Sequence, residues 1–306
     1  MRTPISVIVP SYNARKTLGR TLDSLSQQTS PGLLREIIVV DSSDDGLTRD
    51  LLASRAGSAG SAPLRVVDGG RRLSPALGRN MGAELARGET LLFLDADAYL
   101  APDALERVAA QRALGRRVGG GSVSLPPFQK NSPLPLAQFF LQFNEFADRG
   151  KARPKAFAPS CNLFCERELF AEAGGFPDIR ASEDVLFGLN VNRLATFWFV
   201  PEIRAFHVFR EDAKAFLSNQ ALLGRYVLVW RRLRRNSFYV RGAWALAFLP
   251  LILVVKFLRI TARVLRCGPS LFLAYLKSLP AFVPGLFAWA AGFASAAADP
   301  SEGRPR

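Results

Sequence analysis

Cysteine and histidine are scarce in this chain, whose 306 residues hold three cysteines and one histidine. Cys161, Cys165 and Cys267 are too few and too unevenly spaced for a four-ligand zinc site. Their odd number also fits a reducing compartment better than a disulfide framework, so we interpret them as buried apolar thiols. The single histidine, His207, stands among apolar residues, where a histidine is more often structural than a ligand.

The first residues lack the charged, apolar and small-residue order of a secretory signal, because the apolar run in "MRTPISVIVPSYN" is only as long as a strand. We therefore expect the catalytic part to stay in the cytoplasm. The loop "PSYNARK" that follows this strand contains no glycine. A sugar nucleotidyltransferase needs a glycine-rich basic loop around its triphosphate, so this sequence argues against that enzyme class.

Acidic residues are outnumbered, with 26 Asp and Glu against 40 Lys and Arg, and the formal net charge is +14. Between residues 201 and 267 there are 13 basic and three acidic residues. Such a region can bind nucleic acid, anionic lipid or a phosphorylated substrate. The neighbouring apolar segments favour lipid, and no nucleic-acid-reading motif is recognisable. The densest basic cluster consists of Arg231, Arg232, Arg234, Arg235 and Arg241.

Uninterrupted membrane-length runs are also missing. Residues 243–260 and 278–298 are more apolar than a soluble surface helix, but Lys256 and Arg259 interrupt the first, and two prolines interrupt the second. Arginines flank the first segment on both sides, which places both flanks in the cytoplasm by the positive-inside rule. The pattern predicts interfacial or re-entrant helices, or a short hairpin, at a membrane. Buried core helices of a soluble protein are the alternative.

Strands and helices alternate through the first third of the chain. Apolar strand-like runs end near Pro10, at Asp41, after "LRVVD" and at Asp95, with helical spacing between them. This alternation predicts an α/β fold with a doubly wound, mainly parallel sheet flanked by helices. Asp41 and Asp95 then lie on the rim formed by the carboxyl ends of the strands, where such sheets bind ligands.

Two carboxylates one residue apart interrupt the buried stretch "LLFLDADAYLAP". On an extended chain, Asp95 and Asp97 point to the same side and repel each other unless a cation lies between them. A divalent ion that prefers oxygen ligands is the natural third member. The alternative is that both aspartates cap the helix that begins near Pro102.

A second acidic pair precedes the apolar helix "VLFGLNVNRL". Glu183 and Asp184 would occupy the N-terminus of this helix, where the backbone N–H groups and the helix dipole favour ionised carboxylates. The alternative is an ordinary helix start with Ser182 as the cap and two first-turn acids.

Six segments resemble, in order and spacing, the family 2 glycosyltransferases of GT-A fold, across residues 5–210. Any one of them is a weak signal, but six in order make chance similarity improbable. The segments are "SVIVPSYN", "EIIVVDSSDDG", "GRNMGAELARG", "LLFLDADAYLAPDAL", "EAGGFPD" and "SEDVLFGLNVNRL".

The resemblance assigns a nucleotide-sugar pocket to the first segments. It implies that Pro10, Ser11, Tyr12 and Asp41 line the nucleotide pocket, with Asp41 accepting a hydrogen bond from the base. Arg79 is implied to lie near the nucleotide and diphosphate. The segment "SSDDGLT" departs from the commonest family wording, which leaves the roles of its two middle aspartates open.

The acidic segments acquire roles in the same way. The resemblance implies that Asp95 faces the ribose and metal region and that Asp97 ligates Mg²⁺ or Mn²⁺ at the diphosphate. Some GT-A enzymes complete this ligand set with a histidine at the position of His207. Glu183 and Asp184 match the acidic pair of the family, with Asp184 as the general base.

The implied function is an inverting, hexosyltransferase-like transfer of a sugar from a nucleotide-diphosphate sugar to a hydroxyl acceptor. One carboxylate base suffices for a single in-line displacement, which inverts the anomeric centre. The apolar segments favour a lipid-linked or amphipathic acceptor at the cytoplasmic side of the cell membrane. A sugar nucleotidyltransferase and a non-catalytic membrane-bound scaffold are the alternatives.

The expected organisation has two parts. Residues 1–210 form the GT-A catalytic domain, with a donor-binding half at 1–118 and an acceptor and base half at 119–210. Residues 211–306 form a basic linker helix and apolar membrane-associated helices. "QALLGRY" resembles the signature of processive synthases only faintly, so a single transfer is expected.

Overall fold

The computed structural model describes residues 3–55, 62–234 and 243–299. Its contacts divide the chain into two compact units, which are treated separately below. Unit 1 comprises Met1–Ser124 and Phe146–His207, and unit 2 comprises Leu125–Glu145 and Val208–Arg306. Unit 2 therefore includes an internal segment in addition to the C-terminal region.

Unit 1 is built on a sheet whose first strands alternate with helices. Its elements up to residue 124 are β1 Ile5–Ser11, α1 Arg15–Ser26, β2 Leu34–Asp41, α2 Gly46–Arg55, β3 Leu64–Asp68, α3 Pro75–Leu85, β4 Thr90–Leu94, β5 Ala98–Leu100, α4 Ala104–Ala113 and β6 Val118–Ser124. After an intervening helix of unit 2, α5 Pro133–Gln142, unit 1 continues with β7 Arg153–Pro154, β8 Asn162–Glu166, α6 Arg167–Glu172, α7 Glu183–Val191 and β9 Phe197–His207.

The described strands form one sheet in the order β3-β2-β1-β4-β8-β6-β9-β5, with β7 paired to β9. The first four are mutually parallel, β8 runs antiparallel to β4 and β6, and β6 is parallel to β9. Strands β1, β2 and β4 are almost wholly buried apolar runs, because helices cover both faces of a parallel sheet. The predicted α/β fold with a mainly parallel sheet flanked by helices is confirmed.

The glycine run at residues 119–121 lies inside β6. A Cβ at Gly121 would collide with the carbonyl oxygen of Ile203 on β9, and a Cβ at Gly120 would collide with Ala158. Only glycine permits this close approach of backbone, so the run is a packing requirement of the sheet.

Two helices begin at a serine, but only one serine is a cap. Ser74 caps α3, with its hydroxyl accepting from the backbone N–H of Leu77 at 3.2 Å and Pro75 in the first turn. Ser182 does not cap α7, because it adopts a left-handed conformation with φ 67° and its side chain makes no capping hydrogen bond. The alternative of an ordinary Ser182 cap is therefore wrong.

Unit 2 is helical. In addition to α5 it contains α8 Ala213–Leu233, α9 Ala243–Ala247, α10 Leu249–Leu265 and α11 Pro269–Ala298. Pro280 and Pro284 lie inside α11 without ending it. Among the described residues, α11 is the one helix long and apolar enough to cross a membrane, and 33% of its most apolar window is buried. Arg235 and Arg241 of the predicted basic cluster lie outside the described residues.

Candidate active site

The carboxyl ends of β1, β2 and β3 meet at one rim of unit 1. In the parallel ladders Ser11 pairs with Asp41, and Asp41 pairs with Asp68. Asp41 is 5% exposed and accepts a 2.6 Å hydrogen bond from the hydroxyl of Ser43. The Ser11 hydroxyl is buried and has no hydrogen-bond partner within the described part of the chain. The strand-end rim expected from the sequence is therefore formed, and its role in binding a nucleotide stays a prediction.

The loops after β1 and β2 are joined by Asp44, whose role the sequence left open. Its carboxylate accepts from the hydroxyl of Tyr12 at 2.9 Å and from the amide of Asn13 at 2.6 Å. These two hydrogen bonds, that from Asn13 first, lower the pKa of Asp44, and the same contact raises the pKa of Tyr12. Asp45 instead caps α2, accepting from a backbone N–H at 2.9 Å. Asp44 therefore links the loops after β1 and β2, whereas Asp45 caps a helix.

A basic loop follows β3 directly beside Asp41. The backbone N–H of Gly69 donates to the Asp41 carbonyl at 2.7 Å, and Gly70 turns the chain with φ 66°. The guanidinium of Arg72 then lies 4.3 Å from the centre of the Tyr12 ring. Sequence reasoning missed Arg72, although the stretch "DGGRRLS" places two arginines after a strand end.

The acidic pair lies in a turn instead of on the strand. β4 ends at Leu94, and the backbone N–H of Ala98 donates to the Asp95 carbonyl at 3.0 Å to close the turn. The explanation by strand alternation is therefore wrong. The capping alternative is also wrong, because β5 intervenes and Asp103 occupies the N-cap of α4.

His207 reaches this turn through strand pairing. β5 is antiparallel to β9, and Ala98 pairs with His207, the last residue of β9. The His207 Nε2 atom lies 3.4 Å from Asp97 Oδ1, and ligand atoms of Asp95, Asp97 and His207 all lie within 4.8 Å of one another. Two carboxylates and an imidazole on converging backbones form a donor set that fits a divalent cation.

Arg79 is buried, 2% exposed, between the two acidic pairs. One guanidinium nitrogen lies 2.5 Å from Asp95 Oδ1 and another lies 2.7 Å from Glu183 Oε1. Burial disfavours its charge, but the carboxylates of Asp95 and Glu183 more than compensate, so the pKa of Arg79 is raised. A planar fork can hold two carboxylates at once, which a lysine ammonium does less well.

Asp184 begins α7 next to Glu183 and is half-buried. Its Oδ1 accepts from the backbone N–H of Val185 at 2.8 Å, while Glu183 also accepts from the Ser160 hydroxyl at 3.2 Å. Burial, followed by the negative charge of Glu183, raises the pKa of Asp184 to about 7. A carboxylate with this pKa is suited to accept a proton at neutral pH.

Cys161 is a buried thiol whose pKa responds to carboxylates of both acidic pairs. Burial raises the pKa of its thiol well above the ordinary value, and Asp95, Asp97 and Asp184 raise it further. The acidic turn after β4 and the start of α7 thus act on the same buried atom.

The segment "EAGGFPD" holds α3 and hence Arg79 in place. The Asn80 amide donates to the Phe176 carbonyl at 2.8 Å and accepts from the Phe176 N–H at 2.9 Å. Gly175 has φ 66°, and a Cβ there would lie 2.9 Å from the Asn80 side chain. The Ser74 hydroxyl donates to Asp178 at 2.7 Å. The positive φ of Gly175 and its close approach to Asn80 explain why a glycine stands at this position after α6.

The structure brings the predicted site residues into unit 1 in two groups, and their roles stay predictions. The first group lies on the nucleotide rim and comprises Pro10, Ser11, Tyr12 and Asp41. The second surrounds the acidic turn and comprises Arg79, Asp95, Asp97, Glu183, Asp184 and His207. Arg79 contacts carboxylates here, and its predicted place near the diphosphate is not tested by these contacts.

Proteins named as glycosyltransferases match part of the chain. Glycosyltransferase AglE of Haloferax volcanii is 26% identical over 175 residues, 57% of this chain and 56% of AglE. An uncharacterized glycosyltransferase of Haemophilus influenzae is 36% identical over 104 residues, 34% of this chain and 33% of that protein. A poly(ribitol-phosphate) β-glucosyltransferase of Bacillus spizizenii is 34% identical over 105 residues, 34% of this chain and 16% of the enzyme. The matches thus span between 16% and 56% of these relatives.

Solved structures share the fold over most of the chain. The mannosyltransferase PcManGT of Pyrobaculum calidifontis, in complex with GDP-Man and Mn²⁺, has a TM-score of 0.62 and 20% identity, covering 96% of this chain and 88% of its own. TarS 1-349 of S. aureus, in complex with UDP-GlcNAc, has a TM-score of 0.55 and 20% identity, covering 91% and 89%. A model of the glycosyl transferase family 2 matches residues 6–173, more than half of the chain, so this chain belongs to glycosyl transferase family 2.

Proposed function

We propose that the chain transfers a sugar, with inversion, from a nucleotide-diphosphate sugar to a hydroxyl acceptor in a single transfer. The observation that carries this proposal is the buried Arg79, which joins Asp95 of the acidic turn to Glu183 at the start of α7. A carboxylate proposed to act on the donor side and one next to the proposed base thus contact the same guanidinium. The nucleotide rim of β1 and β2 supplies the donor pocket, with Asp41 toward the base and Arg72 near the diphosphate.

The acidic turn and His207 would hold a divalent cation. The donor set of two carboxylates and one imidazole fits Mn²⁺ better than Mg²⁺, which prefers oxygen ligands. Such a cation would neutralise the negative charge that develops on a departing diphosphate. The ion pair with Arg79 orients the Asp95 carboxylate. The Asp97 and His207 side chains lie 3.4 Å apart and are oriented by the turn and by the end of β9.

Asp184 is the proposed general base. Its raised pKa means that it is protonated below about pH 7 and ionised above, so transfer should increase as the pH rises through this value. Glu183, held by Arg79 and the Ser160 hydroxyl, is proposed to position the start of α7. Ser182, in its left-handed conformation, sets the direction from which Asp184 enters the site.

The acceptor is proposed to be lipid-linked or amphipathic and to be modified at the cytoplasmic face of a membrane. The support is the apolar helix α11 and the arginines of α8 at its C-terminal end. GDP-Man and UDP-GlcNAc, which are bound in the solved structures of similar proteins, define the first panel of nucleotide sugars to test here.

The test combines two variants with that panel. Asp184→Asn should abolish transfer while leaving donor affinity within about twofold, because the base contacts the acceptor and not the nucleotide. Asp97→Asn should weaken Mn²⁺-dependent donor binding by about tenfold or more. Loss of both transfer and donor binding in Asp184→Asn would show that the base is misplaced. Failure of every UDP and GDP sugar to bind would overturn the proposal.

A further inference from the structure

Two apolar stripes cover the outer side of the C-terminal helices. The α10 stripe consists of Leu251, Val254, Val255, Leu258 and Leu265, which are 42–58% exposed. The α11 stripe consists of Leu273, Leu276, Val283 and Phe287, which are 40–63% exposed. Spacings of three, four and seven residues place each set on one side of its helix.

These stripes are not the scattered apolar residues of an ordinary surface. Eleven of the sixteen exposed large hydrophobic residues in the described part of the chain lie between residues 243 and 299. Such a concentration indicates that this side is normally covered by another apolar phase. Trp244 of α9, 61% exposed and stacked on Phe248, adds the aromatic type that is enriched at membrane interfaces.

The other side of α11 is bound to α8, so α11 cannot enter a bilayer alone. Gly224 of α8 faces the backbone of Trp289 so closely that a Cβ would collide with it. Near the C-terminal end of α11, Arg232 donates to the carbonyls of Ala296 at 2.8 Å and Asp299 at 2.9 Å. If α11 crossed the hydrocarbon core, the stretch of α8 packed on Trp289 would enter as well, and it carries Arg225 next to Gly224, which is energetically costly.

The charge around the stripes selects an anionic lipid surface over a second copy of the chain. From residue 243 to residue 298 there are five basic residues and no acidic one. Arg259 and Arg266 are exposed and lie seven residues apart along one edge of the α10 stripe, and Lys277 is exposed beside the α11 stripe. Two copies docked through these sides would bring like charges together, whereas lipid phosphates would pair with them.

We infer that the α10 and α11 stripes lie flat in one leaflet of an anionic membrane and that α11 does not cross it. This inference rests on the proposed membrane acceptor and deepens it, because it specifies which residues enter the lipid. The apolar stripes insert to the level of the acyl boundary, while the basic residues at their edges stay with the headgroups.

Vesicle co-sedimentation of the full chain tests the stripes. We expect binding to phosphatidylcholine vesicles that contain phosphatidylglycerol, and much weaker binding to phosphatidylcholine alone. The double variants Leu251→Asn with Leu258→Asn, and Leu273→Asn with Phe287→Asn, should each lower the partition coefficient by about tenfold. Leu114→Asn, at a residue 67% exposed in unit 1, is the matched control and should bind as the wild type does. Equal binding of all variants would overturn the inference.

Cysteine labelling separates lying on the membrane from crossing it. Cys267 stands at the α10–α11 junction, and Ser295 is exposed near the other end of α11. The wild type and a Cys267→Ser, Ser295→Cys variant are expressed in bacterial membranes and treated with an impermeant maleimide in sealed right-side-out and inverted vesicles. Labelling of both positions from the same side is expected. Labelling from opposite sides would show that α11 spans the bilayer.

Donor binding and sedimentation velocity complete the design. Stripe variants that lose vesicle binding but keep nucleotide-sugar binding support the inference and leave the proposed function intact. If nucleotide sugars fail to bind the wild type while the stripes still bind vesicles, the proposed function fails and the lipid surface stands. Stripe variants that convert a wild-type dimer to monomer without a change in vesicle binding would assign the stripes to a second copy and overturn the inference.

Discussion

Replacing Asp184 by asparagine should stabilise the protein at neutral and alkaline pH while it abolishes transfer. Folding raises the pKa of this carboxyl from 3.8 to about 7. The folded state therefore holds the proton more tightly than the unfolded state, and the resulting stabilisation is present below about pH 4 and is lost as the pH rises to about 7. Complete ionisation of this half-buried carboxyl therefore lowers the free energy of unfolding by about 4 kcal/mol relative to the fully protonated protein. Asparagine keeps the acceptor for the Val185 N–H without this charge.

Urea unfolding measured from about pH 5 to about pH 8 gives the test. Over this interval the stability difference between Asp184→Asn and the wild type should widen by about 2.5 kcal/mol in favour of the variant, because only the wild type ionises this group. Asp50→Asn, at an exposed residue of α2, is the control and should show no widening. A difference that stays constant with pH, or a variant less stable than the wild type at about pH 8, would refute the reasoning.

The remaining predictions concern groups around Asp184. Arg79→Met should destabilise the fold by about 3–5 kcal/mol in urea unfolding, because it leaves two carboxylates without their buried partner; Arg79→Lys should recover part of the stability, and equal stability of all three proteins would contradict this. His207→Ala should weaken Mn²⁺-dependent donor binding in calorimetry by about tenfold, and an unchanged metal titration would remove His207 from the site. Asp44→Asn should raise the donor KM severalfold with little change in kcat, because it loosens the two pocket loops without touching the base; a loss confined to kcat would argue against this role.

Local patterns predicted the framework of the site, and residues distant in sequence determined its details. The apolar run before Asp95 is visible in the sequence, so the strand and its acidic end could be predicted. The turn that gathers Asp95 and Asp97 could not, because it depends on β5 pairing with β9, more than a hundred residues away. The same pairing brings His207 beside Asp97, which spacing along the chain does not reveal.

Backbone conformations and close approaches were also invisible to pattern reasoning. Ser182 has the residue type of a helix cap, but its left-handed φ prevents that role. The glycines of β6 look like a flexible connection until the carbonyl of Ile203 is seen against them. Pro280 and Pro284 are helix breakers by type, and both remain inside α11. For Ser182 a backbone angle, and for the β6 glycines a contact with a distant residue, determines the local structure in place of the residue type.

The charge balance of the site explains why donor and cation should bind together. Asp95, Asp97, Glu183 and Asp184 carry four negative charges when ionised, and Arg79 offsets one, which leaves about −3 at the site. A nucleotide diphosphate would add further negative charge and be repelled at this rim. A divalent cation held by Asp95, Asp97 and His207 would reverse that repulsion locally, while the Arg79 guanidinium would offset part of the remaining carboxylate charge. In the proposed mechanism, the buried arginine would therefore hold Asp95 and Glu183 in place and leave the Asp184 carboxylate available for the acceptor proton.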